Sequence, residues 1–177
     1  STGPGGDRYG LATTLRPGPC CGSVRGARNL EGLPVRELAQ FVLSGKGPEI
    51  SLGMAALNSA LPPLPHETLN AEELIAERGR GKNIAVIGHF PFTDRLRELA
   101  GELWVFELEP RDEKDLAPEK MADLLPRADA VAVSALTLLN RTFDGIMAAC
   151  RSEAYKILLG PSAPLSPVLF DFGLDAV

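Results

Sequence analysis

Histidine and cysteine are scarce in this chain, long apolar runs are missing, and so are the glycine signatures of nucleotide enzymes. Each gap removes a class of function. The 177 residues include two histidines and three cysteines. Cys20, Cys21 and Cys150 are odd in number and form no C-x-x-C pair, which argues against a disulfide framework and a zinc knuckle and fits a reducing cytoplasm. The adjacent Cys20-Cys21 pair could hold a soft metal, but it lies between Pro19 and Gly22 in what reads as a hairpin loop, and the plain loop is the preferred reading. No apolar run approaches the roughly 20 residues that cross a bilayer, and Ser1 to Tyr9 lacks the basic and apolar parts of a signal peptide, so no membrane association is expected. A formal charge of −5 supplies no basic field for a phosphate backbone, and nucleic acid is not an expected partner.

What is present is ordinary globular material. With 45% hydrophobic residues, the chain can form one generous domain or two small ones. Tyr9 to Leu15 has β-like character before Arg16-Pro17-Gly18 and reads as one arm of a hairpin. Pro34 at a first turn, with Val35, Leu38, Ala39 and Val42, predicts a short helix that Gly45 stops. A second helix is predicted over Glu49 to Leu61, with apolar or small residues on both faces. Leu61-Pro62-Pro63-Leu64-Pro65 cannot continue a helix and serves as a connector, which divides the chain into residues 1–68 and 69–177. Asn70 then begins a helix as N-cap, with Glu73 in a capping box and Leu69 stapled to Leu74, and the helix ends near Gly79.

From Lys82 strands and helices alternate. Ile84–Ile87, Leu103–Phe106, Ala130–Val133 and Lys156–Leu159 are short apolar runs, the pattern of strands buried on both faces of a parallel sheet. Between them lie predicted helices over Asp94–Ala100, over a segment opened by Pro118 and closed by Pro126, and over one apolar stripe from Leu139 to Cys150. That stripe makes Cys150 a core residue rather than a nucleophile. Both ends look open: no complete strand precedes Tyr9, and Asp175 to Val177 reads as the start of a fifth strand.

Ligands of open α/β sheets bind beyond the carboxyl ends of the strands. Here those ends are Gly88-His89, Glu107, Ser134 and the loop Gly160-Pro161-Ser162. Glu107 stands where a carboxylate reads a ribose diol in Rossmann-like sheets, although a solvated acid is an equal reading among its acidic neighbours. Gly88-His89-Phe90-Pro91-Phe92 has one glycine, which disfavours a standard dinucleotide site, and presents a histidine between aromatics that could stack on a planar ligand. His89 is the candidate for proton transfer or ligation, and His66 the weaker one. Ser134, Thr137 and Asn140 can cap a helix or line a pocket, and Asn58 is satisfied by backbone or offered to a ligand. An oxygen-rich metal site using Glu107 or Asp171 stays open, and the metal is not assigned. No G-x-S-x-G motif accompanies Ser162, so a hydrolase triad is not expected.

Three ordered motifs carry a resemblance: Gly88-His89-Phe90-Pro91-Phe92, Ala135-Leu136-Thr137-Leu138-Leu139-Asn140-Arg141-Thr142, and the run from Gly160-Pro161-Ser162 to Phe170-Asp171. Together they resemble the bacterial and archaeal family described as "putative heavy-metal chelation", and Glu49 to Ala60 looks like the small domain that precedes it. The resemblance implies an α/β protein: a partial α+β domain similar to the N-terminal domain of enolase, then a Rossmann-like domain. It implies a site in the cleft between them, bringing Asn58 near His89 and Glu107. The expected function is binding of a small heteroaromatic or metal-chelating molecule, with condensation or hydrolysis chemistry linked to heavy-metal chelation or uptake. Two alternatives remain at this point, a non-catalytic sensor or carrier of a metal chelate and an S-adenosylmethionine-dependent methyltransferase-like protein. No cofactor is assigned, the expected partner is a small molecule, and a homo-oligomer is compatible with the sequence.

Overall fold

The structure is a computed structural model. It describes residues 2–3, 6–15, 24–110 and 112–177, so the Cys20-Cys21 loop lies outside the described residues. The chain divides into two compact units. The first comprises Ser1–Pro65, Ala135–Arg141 and Gly160–Ser166, and the second His66–Ser134, Thr142–Leu159 and Pro167–Val177.

In the first unit, β1 (Thr2–Gly3) and β2 (Gly6–Asp7) form a two-residue antiparallel pair. Helix α1 (Val35–Ala39) tightens into a 3-10 turn, Gln40–Leu43, and α2 (Gly47–Ala60) follows. Both faces of α2 are covered, as its composition suggests. Ile50 and Met54 pack with Leu139, joined by Ala12, Leu15, Val42, Leu57 and Leu138. Two glycines permit the close packing: a Cβ on Gly53 would meet the Val42 nitrogen at 2.1 Å, and one on Gly10 the Ala55 carbonyl oxygen at 2.0 Å. Tyr9 to Leu15 is not a strand. Its backbone is instead held by side chains: the Leu15 N–H donates to Ser51 Oγ, the Thr13 N–H to Ser162 Oγ, and Asn58 Nδ2 to the Leu11 carbonyl, each at 2.8 Å. Side-chain bonds have replaced the ladder expected of a hairpin arm.

The second unit opens with α3 (Ala71–Gly79), capped by Asn70, whose side chain accepts from the N–H groups of Glu72 and Glu73. Leu69, expected as a staple, is exposed. Five parallel strands follow: β3 (Asn83–Ile87), β4 (Glu102–Phe106), β5 (Asp115–Leu116), β6 (Ala130–Ser134) and β7 (Tyr155–Leu159), in spatial order β5-β4-β3-β6-β7. Helix α4 (Thr93–Leu99) links β3 to β4. The segment between Pro118 and Arg127 is a 3-10 turn, the single helical turn α5 (Met121–Leu124) and a second 3-10 turn. Ile84, Val86, Val105, Ala130 and Ala132 share one core with Ile75 and Leu96, all inaccessible to solvent.

The helix expected from Leu139 to Cys150 is two helices, α6 (Leu136–Leu139) in the first unit and α7 (Phe143–Ala149) in the second. Arg141 breaks it, with φ of 63°. Its guanidinium donates to the carbonyls of Leu43 and Ser44 at 3.2 and 2.6 Å, a tie that holds the unfavourable backbone. The start of a further strand at the C-terminus is a single parallel pairing of Ala176 with Ile157. Among the described residues, no helix is long and apolar enough to cross a membrane.

Candidate functional site

Register fixes which residues stand side by side at the carboxyl edge of the sheet. Ile87 pairs with Phe106 on one side and Val133 on the other, so Gly88, Glu107 and Ser134 follow in adjacent positions. The Gly88 N–H donates to the Phe106 carbonyl at 2.9 Å, and the Glu107 N–H to the Leu116 carbonyl at 3.1 Å. Gly88 has φ of +99°, and a Cβ there would come within 3.0 Å of Ser134 Cβ. Only glycine turns the chain out of β3 at that point without strain and leaves room for the serine.

His89 is exposed and makes no hydrogen bond with the described residues. Phe90 and Phe92, expected as platforms for a planar ligand, stack on each other at 5.3 Å and 9° and pack against the core. One face of each ring is therefore covered by the other. Thr93 ties the loop down, its hydroxyl donating to the Phe90 carbonyl at 2.7 Å. Glu107 and Ser134 are half-buried.

His66 and Asp171 are exposed residues of the second unit, and the other sequence candidates belong to the first unit, where they form a second group. Ser162, 1% exposed, accepts from the Thr13 N–H and donates to the Thr13 hydroxyl at 3.2 Å. Asn58 Nδ2 bridges the carbonyls of Leu11 and Ser162 at 2.8 and 3.4 Å, while its Oδ1 is a buried acceptor without a donor. Gly160, with φ of +118°, and the exposed Pro161 lead into Ser162. Thr137 is buried and Asn140 exposed, and the N-cap position of α6 is Ala135, whose own side chain offers no cap.

Several polar residues that the sequence reading passed over are firmly placed. Glu49, 3% exposed, accepts the Arg25 N–H at 2.8 Å; that bond, the Ser44 hydroxyl and the Lys46 ammonium hold its carboxyl below the ordinary range. Lys156, 5% exposed inside β7, donates to the carbonyls of Arg151, Ser152 and Ala154 at 3.4, 3.0 and 2.6 Å. A glutamate at a helix start and a lysine in an apolar strand carry no special spacing. Cys150 ends α7 half-buried, and burial pushes its thiol up to about 11.

At the opposite, amino edge of the sheet lies a cavity of about 380 Å³, lined by Arg78, Lys82, Asp129, Tyr155, Asp175 and residues 151–154. Among the described residues, no group of three or more His, Cys, Asp or Glu side chains is arranged to hold a metal ion.

A parallel sheet in this order, with its switch between β3 and β6 and its polar residues just past the strands, defines a Rossmann-like α/β protein. The chain belongs to the family described as "putative heavy-metal chelation": one model of that description matches residues 70–177 and a second matches residues 3–61. An uncharacterized protein of Methanocaldococcus jannaschii is 33% identical over 165 residues, 86% of this chain and 64% of that protein. The chain thus spans about two thirds of its curated relative. Two solved structures from the same family, both of unknown function, have the same fold. The protein from Desulfitobacterium hafniense matches with a TM-score of 0.75 and 27% identity over 95% of this chain and 75% of that one. The one from Pyrococcus horikoshii matches with 0.76 and 26% over 96% and 69%.

Proposed function

We propose that the carboxyl edge of the sheet binds a small heteroaromatic or metal-chelating molecule, in a role tied to heavy-metal chelation or uptake. The observation that carries this reading is the register, with Gly88, Glu107 and Ser134 adjacent at the switch point and His89 exposed beside them. In this reading Glu107 accepts from a ligand hydroxyl or ring N–H, His89 transfers a proton or ligates, and Gly88, Phe90 and Ser134 form the wall. Asn58, Thr137, Asn140, Gly160, Pro161 and Ser162 are a separate set of candidate ligand contacts within the first unit. One imidazole, one carboxylate and one hydroxyl make a poor set for a bare metal ion, so the metal arrives already held by an organic chelator.

Titration calorimetry with a pterin, a flavin, S-adenosylmethionine, free divalent metals and a catecholate-iron complex tests the reading. Binding of a heteroaromatic or a chelate is expected, weakened about ten- to a hundredfold in His89→Ala and in Glu107→Gln, since each removes a charge-assisted contact of about 1.5–3 kcal/mol. Micromolar binding of free metal alone, unchanged in His89→Ala, overturns it. A second reading, a carrier that binds such a chelate without turnover, is favoured by one observation: no described carboxylate or hydroxyl hydrogen-bonds to His89 to form a proton relay. The same titration followed by product analysis separates the two.

A further inference from the structure

The amino-edge cavity carries none of the roles proposed above. We infer that it is a second site, for the phosphate or carboxylate group of a small anionic molecule. The acids and the cations that line it differ in what already engages them. Asp129 accepts from the Arg151 guanidinium and, at 3.0 Å, from the Asn83 N–H. Asp175 Oδ2 accepts the Lys156 N–H at 2.8 Å, and Glu153 Oε1 accepts the Ser152 hydroxyl at 2.8 Å. Each lining carboxylate thus has a donor, a cation for Asp129 and a neutral N–H or O–H group for Asp175 and Glu153. Arg78 and Lys82, the other cations lining the cavity, have no hydrogen bond or ion pair to an acid among the described residues. Arg78 lies over the Tyr155 ring, 4.9 Å from guanidinium carbon to ring centroid, which fixes its plane while leaving its N–H donors available.

The cavity is also built in advance. The loop 151–154 is held from beneath by the buried Lys156 ammonium through three of its carbonyls, and Asp175 is anchored on the same strand residue. A volume of about 380 Å³ is within the usual range of small-molecule sites, of order 300–1,000 Å³. With the whole chain at −5, long-range attraction does not help, so the anion is held by contact with Arg78 and Lys82.

Two-dimensional ¹H–¹⁵N NMR titrations of the full chain with inorganic phosphate, pyrophosphate and citrate test this, with sodium chloride at matched ionic strength as control. Saturable shifts are expected at residues 78–82 and 151–155, weakened at least about tenfold in Arg78→Gln/Lys82→Gln and unaltered in His89→Ala. Preference for phosphate over citrate identifies the group recognised. Both substitutions lie on exposed side chains, and the variant's own spectrum reports whether it is folded. Absence of saturable shifts in the wild type, shifts confined to other residues, or equal affinity in the folded double variant overturns the proposal.

Discussion

Glu49 is the acid whose removal has the clearest consequence. Its folded pKa lies below 4.5 because the charged form accepts the Arg25 N–H and meets the Ser44 hydroxyl and Lys46. A lowered folded value stabilises the native state above the ordinary carboxyl pKa, and that contribution is lost as pH falls through the folded value. Glu49→Gln is therefore expected to be less stable than wild type at pH 7, with the gap closing as pH falls below the ordinary carboxyl range, as urea unfolding at a series of pH values will measure. Cys150 provides a second test. With its thiol pushed up to about 11, almost none is thiolate at pH 8. In a Cys20→Ser/Cys21→Ser background, Ellman's reagent is expected to leave the folded protein essentially unlabelled and to react fully in denaturant. That Cys150 turns partly inward was legible from its place on an apolar stripe; the buried Glu49 and Lys156 were not, because their partners are backbone groups that no sequence spacing reveals.

Elements were legible where a local rule decides them. The strands β3, β4, β6 and β7 are apolar runs closed by glycine or a polar residue, and each lies within a residue of its expected span. Asn70 begins α3 through its own side chain, and Asn70→Ala is expected to cost about 1 kcal/mol by denaturant unfolding, with Asn70→Ser near wild type. The misses share a cause. The apolar periodicity from Leu139 to Cys150 is genuine, but the bonds from Arg141 to Leu43 and Ser44 are tertiary and override it. Likewise Tyr9 to Leu15 has strand composition and lacks a strand partner among the described residues, because Ser51, Asn58 and Ser162 take up its backbone groups. The two-residue β5 carries too little apolar sequence to be seen at all.

For the molecule as a whole, strand order converts scattered residues into neighbours. Gly88, Glu107 and Ser134 are up to 46 positions apart by residue number, and parallel pairing on both sides of β3 brings them to one edge. That much could be argued from the repeating strand and helix rhythm. The membership of residues 135–141 and 160–166 in the first unit could not, since long-range packing alone decides it. The amino-edge cavity escaped for a similar reason: its cations come from a helix end, a turn and a loop with no shared motif. Ligand binding is proposed at the carboxyl edge. Its most direct measurement is an NMR titration of the ¹⁵N-labelled chain with whichever heteroaromatic or chelate binds by calorimetry. The largest shifts are expected at residues 88–92, 107 and 134; shifts absent there, or concentrated at residues 78–82 and 151–155, would rule out binding at that edge.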